Sequence, residues 1–404
     1  MTYLHPFPAR MAPELAAAAI DHLEGPRQRV LDPMCGSGTT LLAARRAGHH
    51  AIGLDLDPHA VMLSKGLLTS YESNLLRDAS EEVLQLARSI KGRITQGTAY
   101  PESSDFATRE FLRYWFDPAT RIQLTALIRV IDEQPRDELW RLLRIAFSRM
   151  IIVKENGVSL AMDVAHSRPH RTYDKSPTHP FDLWPVSIAT VARAIEVSRV
   201  PDDHPLASVM LGDARATGLP DSSIDAIVTS PPYLNGIDYI RASKFALVWF
   251  GHNVGELREL RASLVGAERG LAASELSGLV AEFDDAHWYR ELPSRQRGLV
   301  HRYLADMRSV LAESARVLKL GATAVLVVGD SRHRGVTIPN SEILQRLASL
   351  AGFKIIKKVA RPLPTKHRYL PPPQSTATSD LDRRLSSEWV LTFKKTSGCS
   401  PSRR

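Results

Sequence analysis

The stretch LDPMCGSGTTLLAARRAGHHAIGLDLDP, residues 31–58, predicts how this chain begins to fold. Its first apolar residues end a short strand, and Gly36 and Gly38 then allow a tight turn and a close approach of the backbone to a ligand. The segment TTLLAARRAG is typical of a helix that stops at its glycine. The run HAIGLDLD indicates a second strand, after which Asp57 and Pro58 are typical of a helix start. Strand, glycine turn, helix, strand and helix in this order predict the opening of a doubly wound sheet.

Further along the chain, strands and helices alternate again after a long interruption. Apolar strands are expected within residues 207–214 and 224–228, and another ends at Asp330 after a turn at Gly321. Two more segments, KIIKKVARPL and SEWVLTFKK, are expected to form a terminal antiparallel hairpin. We therefore predict an α/β fold, with a doubly wound Rossmann-like sheet of about seven strands and a mainly helical insertion.

The same alternation predicts the domain organisation. A helical insertion of residues 66–204 is the candidate target-recognition region, and its stretch HSRPHRTYDKSPTHPFDLWP is long enough to be a functional loop. The predicted units are a catalytic core of residues 1–65 and 205–395, the helical insertion 66–204, a second, irregular insertion at 251–300 and a disordered basic tail at 396–404.

Composition excludes several classes of protein. The 404 residues are 44% hydrophobic and 24% charged, which is typical of an ordinary globular protein. No apolar run reaches the roughly 18 residues that span a bilayer, and the first residues lack a signal peptide's apolar stretch, so no membrane partner is expected. Cys35 and Cys399 are too far apart in sequence for a disulfide framework or a zinc motif. A reducing, cytoplasmic location is the natural expectation.

The net charge of +8 is concentrated near the end of the chain. Residues 354–404 contain twelve Lys and Arg against three Asp and Glu, so the rest of the chain is close to neutral. A basic segment of this kind can contact the phosphates of a nucleic acid, and it can equally be a solvated surface. For the last ten residues we favour a solvated tail.

The segment IVTSPPYLNGIDYI, residues 227–240, places two prolines directly after a β-branched run. Proline cannot donate a hydrogen bond to a sheet, so Pro231 and Pro232 end the strand. One interpretation is a simple strand stop. The other is a rigid site at the carboxyl end of a strand, where open α/β sheets bind their ligands.

Chemistry favours the second interpretation. The exocyclic amine of a nucleobase is a poor nucleophile, because its lone pair is conjugated with the ring. An enzyme that activates it must offer hydrogen-bond acceptors, and the Ser230 hydroxyl is one. Pro231 and Pro232 fix the backbone direction and so hold its carbonyls in place. Tyr233 offers a flat face on which a base taken out of a duplex could stack.

Asp55, at the end of the second strand, is in position to accept hydrogen bonds from ribose hydroxyls. Such a site suits any cofactor that contains adenosine. A dinucleotide motif would need a third glycine where the chain has Leu41, which disfavours a nicotinamide oxidoreductase. Asp57 is better explained as a helix cap than as a second ribose ligand.

Together, DPMCGSGTT and SPPY resemble the two main motifs of the amino-methyltransferases, which transfer a methyl group from S-adenosylmethionine to exocyclic amines of nucleobases. HPFPARMAP and LGDA resemble two further cofactor-side motifs of that family. The resemblance implies S-adenosylmethionine as cofactor and Ser230, Pro231, Pro232 and Tyr233 as catalytic residues. The cofactor-binding residues that it implies are His5, Pro6, Asp32, Pro33, Cys35, Gly36, Ser37, Gly38, Thr39, Thr40, Asp55 and Asp213.

The serine before the two prolines resembles the N4-cytosine DNA enzymes, since N6-adenine enzymes usually carry aspartate or asparagine there. The segment SLAMDVAHSRPHR, residues 159–171, is similar to one found in stand-alone N4-cytosine enzymes. The resemblance implies double-stranded DNA as partner, a flipped cytosine as target and direct methyl transfer, and it raises a cognate restriction endonuclease as a further partner. RNA amine methylation, N6-adenine methylation and a non-catalytic DNA-binding module are the alternatives.

Six residues in the insertion are candidates for nucleic-acid contact, with surface solvation as the alternative for the cations. His166 and His170 are four residues apart, but Pro169 lies between them and no thiolate is near in sequence, so we predict no metal site. The candidates are Arg149, Lys154, His166, Arg168, His170 and Arg171.

Overall fold

A computed structural model describes residues 3–7, 10–23, 25, 27–234, 238–266, 283, 286–333, 336–362 and 387–396. The first part of the chain folds as the sequence predicts. Its elements are α1 (Pro13–Ile20), β1 (Arg29–Asp32), α2 (Thr39–Arg46), β2 (His50–Asp55) and α3 (Pro58–Leu67). The two strands pair in parallel, because the connection through α2 returns the chain to the same end of the sheet.

Five long helices follow, and three of them begin at an aspartate whose carboxylate accepts a backbone N–H: Asp105, Asp117 and Asp137. Their apolar faces pack into one core together with buried residues of the range 240–257. A short hairpin lies between the fourth and fifth helices. The elements are α4 (Ser73–Lys91), α5 (Phe106–Trp115), α6 (Pro118–Asp132), α7 (Glu138–Ile151), β3 (Ala161–Met162), β4 (His170–Arg171) and α8 (Pro180–Ser198).

The remaining elements complete the sheet and cover one of its faces with helices. They are β5 (Ser208–Leu211), β6 (Ile224–Thr229), α9 (Tyr239–Leu247), α10 (Val254–Ser263), α11 (His287–Glu291), α12 (Ser294–Val317), β7 (Leu318–Gly329), β8 (Ser331–His333), β9 (Val336–Ile338), α13 (Asn340–Leu350), β10 (Phe353–Pro362) and β11 (Ser387–Lys395).

Within the described residues, the main sheet has seven strands in the order β10-β11-β7-β6-β1-β2-β5. Only β11 runs antiparallel to its neighbours, and it lies between β10 and β7. The predicted fold class is therefore confirmed, including the antiparallel hairpin. The chain turns outward in both directions from the adjacent pair β1 and β6, so the carboxyl ends of these two strands form the crevice where doubly wound sheets bind ligands.

Three expectations about local structure were wrong. Gly321 does not separate a helix from a strand, because β7 already begins at Leu318. Gly321 has φ +79°, and it lies where the pairing register between β6 and β7 shifts. The glycine therefore allows a β-bulge in β7 at this point.

The second error concerns the proline-dotted loop, whose last six residues open α8. Pro180 occupies the first turn, where its missing N–H costs nothing, and Pro185 lies inside the helix. Burial of Phe181 and Trp184 outweighs the lost hydrogen bond, and the Trp184 indole donates to the Ser80 carbonyl at 3.0 Å.

The third error is the expected irregularity of residues 251–300, which contain α10, α11 and the start of α12. Asn253 and Glu256 form a reciprocal capping box at the start of α10, and Leu257 is buried beneath it. The basic tail beyond Thr396 lies outside the described residues. No helix in the described ranges is both long and apolar enough to cross a membrane.

Candidate active site

The glycine loop, residues 33–38, connects β1 to α2. Gly36 and Gly38 have φ of +51° and +86°, values that side chains other than glycine rarely allow. A Cβ added to Gly38 would lie 2.9 Å from the Ser64 hydroxyl oxygen. That hydroxyl, from α3, donates to the Gly36 carbonyl at 2.8 Å and holds the loop in place. No side chain caps the start of α2, so its first N–H groups remain available to a negatively charged ligand.

Asp55 lies at the tip of β2, directly beside the glycine loop. Its two carboxylate oxygens accept the backbone N–H groups of Gly36 and Asp57, each at 2.9 Å. Burial raises the pKa of Asp55, although these hydrogen bonds oppose the shift. A carboxylate has about four lone-pair positions, so Asp55 can still accept from the hydroxyls of a ribose.

Asp57 is the N-cap of α3, as predicted. Its side chain accepts the His59 backbone N–H at 2.9 Å and the Ser243 hydroxyl at 2.8 Å. Burial, followed by the charge of Asp55, raises the pKa of Asp57 to about 7. Asp57 therefore links α3 to α9.

The end of β1 is joined to the end of β6 by a hydrogen bond. The Thr229 hydroxyl donates to the Asp32 carboxylate at 2.7 Å, and the Met34 backbone N–H donates to the same oxygen at 3.2 Å. Burial raises the pKa of Asp32 to about 6. Asp32 therefore joins the glycine loop to the strand that precedes Ser230.

The Pro-Pro loop, residues 230–233, follows Thr229 at the carboxyl end of β6. Ser230 and Tyr233 are half-buried. The Tyr233 hydroxyl donates to Oε1 of Glu388 at 3.2 Å. Burial, followed by the charge of Glu388, raises the pKa of Tyr233 well above its usual value, so the phenol is neutral and can donate this hydrogen bond.

The N-terminal His-Pro segment packs beside the start of α3. The His5 ring is buried and meets the His59 ring edge to face at 4.8 Å. Burial lowers the pKa of His59 to about 3, and burial, His59 and Arg149 hold the pKa of His5 well below its usual value. Both rings are therefore neutral at physiological pH.

Asp213 follows β5, and the neighbouring Gly212 N–H donates to the Asp55 carbonyl at 3.0 Å. The Arg215 guanidinium binds the Asp213 carboxylate at 2.7 Å and also donates to Asp306 at 2.7 Å. Burial alone would raise the pKa of Asp213, but hydrogen bonds and charge from Arg215 outweigh it and lower the pKa. The residue lies near Asp55, as a cofactor-side position requires, with Arg215 covering its carboxylate.

The candidate DNA-contact residues divide into two groups. Arg149 is half-buried, and it donates to the carbonyls of Tyr3 and Leu4 at 3.2 Å, which anchors the His-Pro segment. The other group is exposed and consists of Lys154, His166, Arg168, His170 and Arg171.

The hairpin β3–β4 carries most of the exposed group. Ser167, within this hairpin, donates through its hydroxyl to the Asp238 carbonyl, and the Arg241 guanidinium donates to the Ser167 carbonyl at 3.5 Å. Asp238 lies five residues beyond Tyr233. The hairpin therefore packs against the start of α9.

Several residues of this site escaped the sequence prediction. Thr229 directly precedes the Pro-Pro loop and could have been found from that position. Ser64, His59 and Glu388 carry no local signal, because each is brought to the site by packing of distant elements.

The doubly wound sheet, its glycine loop and the Pro-Pro loop at the adjoining strand end define a methyltransferase that uses S-adenosylmethionine. A family model described as DNA methylase, for N6 and N4 amine methylation, matches residues 3–66. The matched segment contains the His-Pro segment, the glycine loop and Asp55. This part of the chain is similar to that family.

Relatives support the same assignment. The chain is 23% identical over 376 residues to the type II methyltransferase M.BsoBI of Geobacillus stearothermophilus, covering 81% of this chain and 73% of the relative. It is 20% identical over 415 residues to the type II methyltransferase M.MvaI of Kocuria varians, covering 96% of this chain and 90% of that relative.

Solved structures include distant matches. A SAM-dependent methyltransferase from Methanosarcina mazei is 10% identical, with a TM-score of 0.35, covering 96% of this chain and 99% of that one. A TehB-like SAM-dependent methyltransferase from Corynebacterium glutamicum is 11% identical, with a TM-score of 0.31, and the match covers 96% of this chain and 90% of that one.

Proposed function

We propose that this DNA methyltransferase transfers a methyl group from S-adenosylmethionine to the N4 amine of a cytosine within a specific duplex sequence. The observation that carries the proposal is the Ser-Pro-Pro-Tyr sequence of the Pro-Pro loop, which joins directly to the Asp32–Thr229 hydrogen bond. The glycine loop and the Pro-Pro loop are thereby held next to one another, at the point where the strand order of the sheet reverses.

The glycine loop, the start of α2 and Asp55 fit the cofactor. The uncapped N–H groups of α2 favour the negatively charged carboxylate of its methionine part, and Asp55 has acceptor positions left for ribose hydroxyls. When bound, S-adenosylmethionine supplies an electrophilic methyl group. Asp213, the buried His5 and the half-buried Pro6 are the further cofactor-side positions in the proposal.

On the substrate side, we assign three tasks to the Pro-Pro loop. The Ser230 hydroxyl accepts a hydrogen bond from the target amine and orients its nitrogen. Pro231 and Pro232 keep the backbone carbonyls in a preset direction, so little reorganisation is needed when the amine arrives. The Tyr233 ring stacks on a base flipped out of the duplex.

No protein nucleophile takes part in the proposed transfer. Cys35, the cysteine within the described residues, is a buried residue of the glycine loop. Burial, with the nearby charges of Asp55 and Asp32, raises the pKa of its thiol well above the usual value and keeps it protonated. Catalysis therefore rests on positioning and on fixed hydrogen-bond acceptors.

Double-stranded DNA is the proposed substrate, contacted through the exposed hairpin residues, and the enzyme acts on it in the bacterial cytoplasm. The type II names of its relatives support a cognate restriction endonuclease as a functional partner. N6-adenine methylation is the second candidate, since the matched family model covers both amines. Ser230 favours cytosine, because it resembles the first residue of the loop in the N4-cytosine enzymes.

The test incubates the purified protein with labelled S-adenosylmethionine and either duplex DNA or total RNA, then identifies the methylated nucleoside by mass spectrometry. N4-methyldeoxycytidine is the expected product. N6-methyldeoxyadenosine, or a methylated ribonucleoside, would contradict the cytosine or DNA assignment. Ser230→Ala serves as the control, since it should bind cofactor and lose the product.

A further inference from the structure

A contact between the Pro-Pro loop and β11 has no role in the function proposed so far. The Tyr233 hydroxyl donates to Glu388 at 3.2 Å. Because β11 runs antiparallel, its first residues lie at the edge where the parallel strands end. Glu388 pairs in the sheet with Gly329, the last residue of β7, and β7 neighbours β6. Glu388 thus reaches Tyr233 across the end of β7.

Glu388 is itself held from the other side. The Arg361 guanidinium, on β10, lies 3.4 Å from its second carboxylate oxygen, and Arg361 also pairs with Glu14 of α1. The Arg361 and Glu388 side chains are only 23% and 18% exposed, so solvent screens this ion pair less than a surface pair. One carboxylate oxygen binds Arg361 while the other receives the tyrosine hydroxyl, and this arrangement fixes the direction of the acceptor.

We propose that Glu388 is a positioning residue, which sets the angle of the Tyr233 ring on which the target base stacks. A hydrogen bond to the tyrosine hydroxyl fixes where the ring lies through χ1, and because a phenol O–H prefers the plane of its ring, the direction of the acceptor also favours one ring plane. Stacking depends on the orientation of the ring plane, and small misplacements in an active site cost rate more than binding. The inference rests on the proposed function in assigning base stacking to Tyr233, and it adds that this chain needs tyrosine rather than phenylalanine at position 233.

The test measures kcat and KM for five proteins on whichever nucleic acid the wild type methylates. Glu388→Ala removes the acceptor, Glu388→Gln keeps an oxygen acceptor, and Tyr233→Phe removes the donor but keeps the ring. The double variant Tyr233→Phe with Glu388→Ala closes a thermodynamic cycle. Glu14→Gln is the control, because it removes the charge of the exposed partner of Arg361 and leaves Glu388 unchanged.

We expect Glu388→Ala to lower kcat by roughly 10-fold or more with KM for the cofactor changed less than about twofold. Glu388→Gln should recover most of the lost rate, and Glu14→Gln should match the wild type. Tyr233→Phe should resemble Glu388→Ala, and the double variant should be no slower than either single one, since both break the same hydrogen bond.

Two results would overturn the inference: wild-type kcat in Glu388→Ala, or an equal further loss when Glu388→Ala is added to Tyr233→Phe. Melting temperatures of all variants identify any that fail to fold. If Glu388→Ala folds poorly, the kcat values of Glu388→Gln and Tyr233→Phe decide the test without it. Adenine methylation by the wild type would refute the cytosine assignment and leave this inference testable. A wild type that methylates no nucleic acid would refute both.

Discussion

The Thr229 hydroxyl lies 2.7 Å from the Asp32 carboxylate, so the strand before the Pro-Pro loop and the strand before the glycine loop share one buried hydrogen bond. The two residues are 197 positions apart in sequence. Any ligand held by the glycine loop is therefore placed at a constant distance from Ser230, without either loop having to move. Such preorganisation is how an enzyme gains rate without a covalent intermediate.

Thr229→Val should test this connection. Valine keeps the shape of threonine but leaves the buried Asp32 carboxylate without one donor, which should cost about 1–3 kcal/mol of folding free energy. We expect weaker cofactor binding by isothermal titration and a lower kcat. Thr229→Ser, which retains the hydroxyl, should stay close to the wild type, and equal losses in both variants would show that packing matters rather than the hydrogen bond.

Gly38→Ala should damage the glycine loop. The new Cβ would adopt φ +86° and approach Ser64 to 2.9 Å, so both the backbone and the contact are unfavourable. Gly48→Ala is a matched control, since Gly48 has φ +79° but nothing within 4 Å of the added Cβ. We expect a cost of about 1 kcal/mol for Gly48→Ala from the backbone alone. Gly38→Ala should lower the free energy of unfolding by more than Gly48→Ala does, and it should also weaken cofactor binding. An equal loss of stability in the two variants would mean that the contact with Ser64 is irrelevant.

The buried carboxyls of Asp57 and Asp32 should make stability depend on pH in the weakly acidic range. Burial raises the pKa of Asp57 from 3.8 to about 7, and that of Asp32 to about 6. Between about pH 4 and pH 7 these two groups hold protons in the folded protein that the unfolded chain has released, so they contribute a negative slope to the free energy of unfolding against pH. The buried rings of His5 and His59, whose pKa values are lowered, contribute a slope of the opposite sign.

Asp57→Asn should remove the negative contribution of Asp57 to the slope, because asparagine still caps α3 but does not titrate. Urea unfolding of the wild type and of Asp57→Asn from pH 4.5 to 8 measures the free energy of unfolding at each pH. The pH dependence of the two proteins should differ by about 1.4 kcal/mol for each unit by which the pKa of Asp57 is raised. A slope unchanged by the substitution would mean that Asp57 does not titrate in this range.

The exposed hairpin residues should contribute to DNA affinity through phosphates. Arg168→Ala and Arg171→Ala should each weaken binding to all duplexes and reduce the slope of log K against log salt by about one where a phosphate contact is lost. Arg199→Ala is the control: Arg199 is an exposed arginine that pairs with Glu72 at 3.4 Å, before the start of β5 and away from the strand ends that carry the site. Filter-binding at several salt concentrations gives the slopes, and an Arg199 effect equal to the others would argue against a hairpin interface.

Sequence patterns predicted those features that depend on neighbouring residues. The glycine loop follows from Gly36 and Gly38, the cap of α3 from Asp57 and Pro58, and the end of β6 from two prolines. In each case the conformation is restricted by the residue itself, through a missing Cβ, a fixed φ or a short side chain that reaches its own backbone. The order of strands and helices followed from the same local signals.

Where burial against distant residues outweighs local preference, only the tertiary structure decided the outcome. Pro185 lies inside α8 because Phe181 and Trp184 pack into the helical core, and Gly321 lies in a bulge because β7 must pair with β6. The meeting of Tyr233 with Glu388 depends on β11 entering the sheet antiparallel, next to β7. By itself, the sequence determined most of the elements and both loops, since these are encoded by short-range sterics. The joining of Asp32 to Thr229 and of Tyr233 to Glu388 was decided by strand pairing between segments more than 150 residues apart, which no local pattern specifies.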